Sequence, residues 1–119
     1  MEEMRLGTVE ERFADIIWRE EPISSGELVK VCQKELDWKK STTYTVLRKL
    51  CERGIFKNEG GSVTSVISKA EFHAIQSENF VDSTFSGSLP AFIAAFTKRK
   101  ALTPAEIDEI QALIAQFKK

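Results

Sequence analysis

No apolar run in the sequence approaches the roughly 18 residues of a membrane span, and the opening MEEMR is acidic where a signal peptide carries positive charge. The expected location is the cytoplasm, with no insertion into a membrane. Cysteine is scarce: Cys32 and Cys51 stand far apart, each on an apolar helical stripe, and read as small buried hydrophobes. His73 is the only histidine and there is no paired-cysteine motif, so the ligands of a structural or sensory metal site are missing. Also missing are a nucleophile with a plausible base, a convergent carboxylate pair at helical spacing and a Gly-rich phosphate loop. These absences exclude an enzyme and give no place for a cofactor. What is present, 119 residues at 42% hydrophobic and 29% charged, suits one ordinary domain or a small domain with an appendage.

The formal net charge of −1 argues against nucleic acid until it is resolved along the chain. Residues 1–38 hold five Lys/Arg against ten Asp/Glu, giving −5, whereas residues 39–67 hold six against two, giving +4. The remainder holds six of each. A local basic patch matters more for phosphate contact than the whole-chain charge, and the surrounding acid lowers non-specific affinity.

That basic stretch is also the most patterned. From Lys39 the sequence runs KKSTTYTVLRKLCERGIF. At 100° per residue, Thr43, Val46, Leu47, Leu50 and Cys51 gather on one side, while Ser41, Thr45, Arg48 and Glu52 lie opposite. Tyr44 and Lys49 flank the polar side. Such a helix docks on a core and turns hydroxyls, an aromatic and cations outward, as a DNA-reading helix must. Gly54 is a helix stop, and Ile55-Phe56 and Val63 to Ile67 flank a Glu-Gly-Gly turn signal, which predicts a β-hairpin.

Upstream, Thr8-Val9-Glu10-Glu11 predicts a capping box, Thr8 with Glu11, opening a first helix that buries Leu6, Val9, Phe13, Ile16 and Ile17. Trp18 borders that face and Pro22 ends the segment. Ile23 predicts a short strand, and Ser24-Ser25-Gly26-Glu27 repeats the capping pattern before a second helix over about Ser25 to Glu35 that packs through Leu28, Val31, Cys32 and Leu36. Asp37-Trp38-Lys39-Lys40 is a polar connector with one apolar anchor. The result is a helix-turn-helix followed by a wing.

After Ser68 the chain becomes helices with too little length for a core of their own. Lys69 to Phe85 carries Phe72, Ile75, Phe80, Val81 and Phe85 on more than one side, so it meets two surfaces; Gly87-Ser88 breaks it. Leu89, Phe92, Ile93 and Phe96 follow i, i+3, i+4, i+7 spacing, and Ile107, Ile110, Leu113, Ile114 and Phe117 form another stripe. Thr103-Pro104-Ala105-Glu106 is a strong helix start. These faces need a partner: the chain's own winged helix or, more simply, a second copy, which also supplies paired helices for a near-palindromic site. The expected fold is mainly α with a small β-hairpin: a winged helix-turn-helix domain over 1–70 and a C-terminal helical dimerisation region over 71–119.

The order WREEPISSGELVKVCQKELDWKKSTTYTVLRKLCERGIF, followed by a Gly-centred hairpin, resembles the penicillinase-repressor (BlaI/MecI) family of bacterial winged-helix repressors. The Asp37-Trp38 pair and the frame Thr42-x-x-Thr45-x-Leu47-x-x-Leu50-x-x-x-Gly54 carry the resemblance, which continues through Phe92 to Phe96 and Ala105 to Ile110. It implies that Ser41, Thr42, Tyr44 and Thr45 meet the major groove of a double-stranded DNA operator, with Arg48 and Lys49 near phosphates. It also implies a homodimer held by the C-terminal helices, and a regulatory protease that releases the repressor by cutting at Ala95-Phe96. Here Ala95 stands where the family's best-known members have Asn, and Lys98-Arg99-Lys100 offers general proteases an exposed linker instead. Relatives carry Lys, Arg and Tyr through the wing, whereas this one reads KNEGGSVTSV. A copper-responsive branch has a C-terminal cysteine cluster; nothing after Cys51 matches it. The other reading is a winged helix that binds protein rather than DNA, favoured by the acidic first 38 residues and the weakly charged wing.

Overall fold

The computed structural model describes residues 5–118. Its elements are α1 (Thr8–Glu20), β1 (Ile23–Ser24), α2 (Ser25–Leu36), α3 (Lys40–Glu52), β2 (Phe56–Glu59), β3 (Ser62–Ser65), α4 (Lys69–Phe85), α5 (Leu89–Arg99) and α6 (Pro104–Ala115). The architecture is mainly helical with a small antiparallel sheet in the order β1-β3-β2. It forms two compact units, the first ending at Asn79 and the second starting at Phe80.

α1 buries Phe13, Ala14, Ile16 and Ile17. Its start is displaced from the expected Thr8–Glu11 box: Gly7 is the N-cap, and Glu10 Oε1 accepts the Gly7 N–H at 3.1 Å. The physical reason is register. Thr8 is already helical, so the returning carboxylate three residues past the cap belongs to Glu10. Val9, expected in the core, is 49% exposed. α2 begins as expected, the Ser24 hydroxyl accepting the Glu27 N–H at 3.1 Å. It ends where Asp37 turns left-handed (φ 57°), letting the Trp38 N–H reach back to the Cys32 carbonyl at 3.3 Å. The turn lays Trp38 against Phe13, rings stacked at 5.3 Å.

α3 buries Thr43, Leu47 and Leu50 on the predicted side. Thr43 is satisfied inside the core because its hydroxyl donates to the Lys39 carbonyl at 3.3 Å. Gly54 (φ 79°) stops the helix, and Gly60 and Gly61 (φ 59° and 88°) make the tight turn between β2 and β3, both in the positive-φ region that a two-residue hairpin loop demands. The register pairs Asn58 with Val63 and Phe56 with Ser65, so Phe56 and Val63 point into the core. β1 adds Ile23 opposite Val63. Strand β3 stops at Ser65, short of the expected Ile67, because the Val66 and Ile67 amides turn to the Ile55 carbonyl at 2.8 and 3.3 Å.

The first unit closes around Trp18. Its indole N–H donates to the Ile67 carbonyl at 3.0 Å, and its ring meets Phe56 at 5.3 Å and Phe72 at 5.5 Å. Phe72, on α4, is 1% exposed, so the start of α4 belongs to this core and the unit extends past residue 70. Beside it the Glu21 carboxylate accepts the Ser65 N–H and hydroxyl, each at 2.8 Å.

The second unit is thinner. Phe80, Phe85 and Phe92 meet edge to face at 5.6 to 6.0 Å, and Phe96 follows at 6.2 Å from Phe92. Ser86 (φ 51°) and Gly87 (φ 82°) turn the chain between α4 and α5. Ser88 caps α5 by accepting the Ala91 N–H at 3.1 Å, and Thr103 and Glu106 cap α6 reciprocally at 2.9 and 3.1 Å, as the sequence predicts. None of its described residues is buried.

Phe72→Ala should lower the stability of the first unit by about 3 to 4 kcal/mol, the usual cost of emptying an aromatic site in a closed core. Urea unfolding followed by Trp fluorescence measures this; a loss below about 1 kcal/mol would show that α4 does not belong to the core.

Candidate nucleic-acid interface

α3 is placed by its buried side, and its opposite side is thereby fixed. Ser41, Thr42, Thr45, Arg48 and Glu52 are all exposed, as the helical wheel predicts. The hydroxyls are not equivalent. Thr45 Oγ1 donates to the Ser41 carbonyl at 2.9 Å, so its proton is used inside the helix and it offers a methyl group and acceptor lone pairs outward. Arg48 has no ion-pair or hydrogen-bond partner among the described residues, and five N–H donors extend from it.

Two residues on the flanks of the polar side are tied to the protein. Tyr44 is half-buried, and its hydroxyl donates to Ser25 Oγ at 3.1 Å. The Ser25 amide in turn donates to the Gly61 carbonyl at 2.8 Å. One serine thus joins α3, the start of α2 and the turn of the wing, which sequence periodicity could not foresee because all three are distant in the chain. Lys49 turns toward α1, its Nζ 3.0 Å from Glu10 Oε2. The Gly7 N–H first, and Lys49 second, hold the Glu10 carboxyl below the usual carboxylate range.

On the wing, Lys57 pairs with Glu59 at 3.1 Å. Between α3 and β2 lies a cleft of about 310 Å³ lined by Tyr44, Leu47, Arg48, Cys51 and Asn58. Burial pushes the Cys51 thiol above its ordinary value, and pushes Cys32, beneath α3, up to about 11. No group of three or more His, Cys, Asp or Glu side chains among the described residues is placed to hold a metal ion.

In the second unit, Leu89, Phe96, Ile107, Leu113, Ile114 and Phe117 are exposed, the last at 79%, whereas Phe92, Ile93 and Ile110 are half-buried. The Ala95–Phe96 bond lies inside α5. Lys98 and Arg99 are not the open linker expected of them: they form the last turn of α5, where positive charge meets the helix's carbonyl end, and only Lys100 stands beyond it. No helix among the described residues is long and apolar enough to cross a membrane.

A helix-turn-helix whose second helix turns its polar face outward, followed at once by a β-hairpin, is a winged helix of the DNA-binding class. The model of the family described as penicillinase repressor matches residues 6–116, and the chain belongs to that family. It is a family of transcriptional repressors, not of enzymes. The chain is similar to the methicillin resistance regulatory protein MecI of Staphylococcus aureus, 21% identical over 113 residues that make up 92% of each chain. It is also similar to the penicillinase repressor of Bacillus licheniformis, 24% identical over 107 residues, 87% of this chain and 84% of the relative. MecI of Mammaliicoccus sciuri is 20% identical over 113 residues, again 92% of each chain.

The link between α1 and α3 has a pH signature. Because Glu10 is held below its ordinary pKa in the folded state, its contribution to stability is fully present above the unfolded value and is lost as pH falls through the folded one. Glu10→Gln should therefore be less stable than the parent at pH 7, with the difference narrowing as acid protonates the parent's carboxylate. Urea midpoints of both proteins at neutral and acidic pH test this; a constant difference would remove Glu10 as a charged anchor of α3.

Proposed function

We propose that this repressor acts as a homodimer that occupies a near-palindromic DNA operator through paired winged helices and is released by proteolysis in its dimerisation region. The observation that carries the reading is the outer side of α3, where Ser41, Thr42, Thr45 and Arg48, the last unpaired among the described residues, stand exposed on a helix whose other side is locked into the core. In this reading Ser41, Thr42 and Thr45 meet base edges in the major groove and Arg48 holds a phosphate. Tyr44 lies beside them with its hydroxyl committed to Ser25, so it contributes its ring and sets the helix against the wing. Lys49 acts from the flank, in competition with Glu10.

The dimer reading rests on the second unit. The apolar side chains of α5 and α6 that stay exposed, Leu89, Phe96, Ile107, Leu113, Ile114 and Phe117, are the surface a second copy would cover. In this reading the dimerisation region, expected over 71–119, begins with the second unit at Phe80, because the first core holds Phe72. Release by cutting at Ala95–Phe96 requires α5 to open locally, because a protease takes its substrate as an extended strand. The alternative, a winged helix that binds protein, is favoured by the neutralisation of Lys49 by Glu10 and of Lys57 by Glu59.

Selection of bound duplexes from a random pool, followed by a salt titration on the winner, separates the two. A near-palindromic winner with salt-sensitive affinity is expected; no enrichment by a folded dimer would favour the protein-binding alternative. On that winner, Thr45→Ala should cost about 1 kcal/mol, roughly fivefold, while leaving random duplex almost unaffected. Arg48→Ala should weaken both and reduce the log–log salt slope by about 1. Equal losses on both duplexes for both variants would contradict these roles. Leu113→Glu combined with Ile114→Glu should shift the protein to monomer in sedimentation; a persistent dimer would place the interface elsewhere.

A further inference from the structure

We infer that the cleft between α3 and β2 is a binding site for a small aromatic monocarboxylate, whose occupancy takes Arg48 away from DNA and so relieves repression. This rests on the DNA-binding reading above and gives it a regulatory ligand.

The floor of the cleft is apolar and fixed. It is made of Leu47, which is 2% exposed, the half-buried Cys51 and the Tyr44 ring. The Tyr44 hydroxyl donates to Ser25 Oγ at 3.1 Å, which commits the phenol to the protein and leaves the ring as lining. Burial holds the Cys51 thiol neutral, so it adds no charge. Strand alternation supplies the opposite wall. Asn58 shares the face of β2 that begins with the buried Phe56, whereas Lys57 and Glu59 share the other and pair with each other at 3.1 Å, outside the lining. The polar rim is therefore the Arg48 guanidinium and the Asn58 carboxamide, and Arg48 has no ion-pair or hydrogen-bond partner among the described residues.

At about 310 Å³ the cleft is at the small end of ligand sites, which run from roughly 300 to 1,000 Å³, and suits one ring with a short substituent. Its lining decides the chemistry. A cation finds no carboxylate there. A neutral hydrophobe covers the guanidinium without pairing it. A phosphate dianion sets two charges against one cation and offers nothing to the apolar floor. A flat ring carrying one carboxylate satisfies both parts. The ring lies against Tyr44, Leu47 and Cys51, while the carboxylate accepts two parallel N–H bonds from Arg48 and one from the Asn58 amide. About ten heavy atoms in so open a site give a Kd of about 1 mM. In the proposed function the same guanidinium holds a phosphate, so ligand and duplex exclude one another.

The test uses the full-length protein at constant ionic strength with phenylacetate as the probe, against acetate and phenylacetamide, which carry its charge and its ring separately. Cys51 lines the cleft, whereas Cys32 is fully buried and reports any unfolding. At about 10 mM, about ten times the expected Kd, phenylacetate should slow labelling of Cys51 by N-ethylmaleimide about tenfold, read by peptide mass spectrometry. Acetate and phenylacetamide should each leave the rate within about twofold of the free protein. Arg48→Ala should abolish the protection and Lys57→Ala should keep it. Phenylacetate should also weaken binding of a mixed-sequence duplex by the parent about tenfold, where acetate does not. Unprotected Cys51 overturns the proposal, as do equal protection by either control, full protection in a folded Arg48→Ala, and duplex binding unaffected by phenylacetate. In each of those cases the parent still binds duplex, so the ligand site fails and the DNA reading stands. A parent that binds no duplex at any salt overturns both.

Discussion

Trp18 is the joint on which the geometry of the first unit depends. It stands near the end of α1, donates its indole N–H to the Ile67 carbonyl beyond the wing, and sets its ring against Phe56 of β2 and Phe72 of α4. One side chain thus bridges four segments that the chain order separates. Its polar atom is satisfied by backbone that the sheet has already abandoned, so nothing is left unpaired in the contact. Because the wing enters this core through Phe56 and Val63, its base cannot swing independently of α1, and α3 packs against β2. The outer side of α3 is consequently a rigid product of the core rather than a flexible loop.

With the scaffold fixed, electrostatics distinguishes the cations from one another. The excess of positive charge in residues 39–67 is real, but the fold spends part of it internally: Lys49 on Glu10 and Lys57 on Glu59. Exposed pairs of this kind contribute little to stability, on the order of 0 to 1 kcal/mol. They do something else: each holds a cation in place and lowers the field available to any polyanion. A surface that relies on few free cations binds duplex weakly without regard to sequence, so in the proposed reading the hydroxyl and methyl contacts of Thr45 and its neighbours would account for a larger share of the total.

The fold was legible because its signals are periodic or local. Thr43, Leu47 and Leu50 repeat at helical spacing; Ser24 and Thr103 are caps whose partners lie three residues away; Gly60-Gly61 is turn chemistry. The sequence signal sets the start of α1 one position late because Gly7, having no side chain to mark it, is the cap and the adjacent Thr8 mimics one. The exposed side of α3 was legible for the same reason as its buried side. What the sequence could not yield were contacts between distant segments: Tyr44 with Ser25, Ser25 with Gly61, Lys49 with Glu10, and Phe72 carrying the first core past residue 70. Periodicity says which way a residue points, not what has been brought opposite it.

The two units differ in a way that bears on regulation. The first buries most of its large apolar side chains and leaves Val9 and Val66 exposed; the second covers none of its described residues fully and leaves Phe117 four-fifths exposed. A monomer of the proposed repressor would therefore carry a finished reading head and an unfinished tail. Completing the tail with a second copy adds no new contact to DNA, yet it turns the second winged helix's encounter with its half-site into an intramolecular event. For a surface with few free cations that gain is large relative to what one head can hold alone. For the proposed homodimer, control would act most economically on the tail: anything that opens α5 or separates the exposed stripes of α6 would dissolve the pairing and lower occupancy, while each first unit stays folded and chemically unchanged.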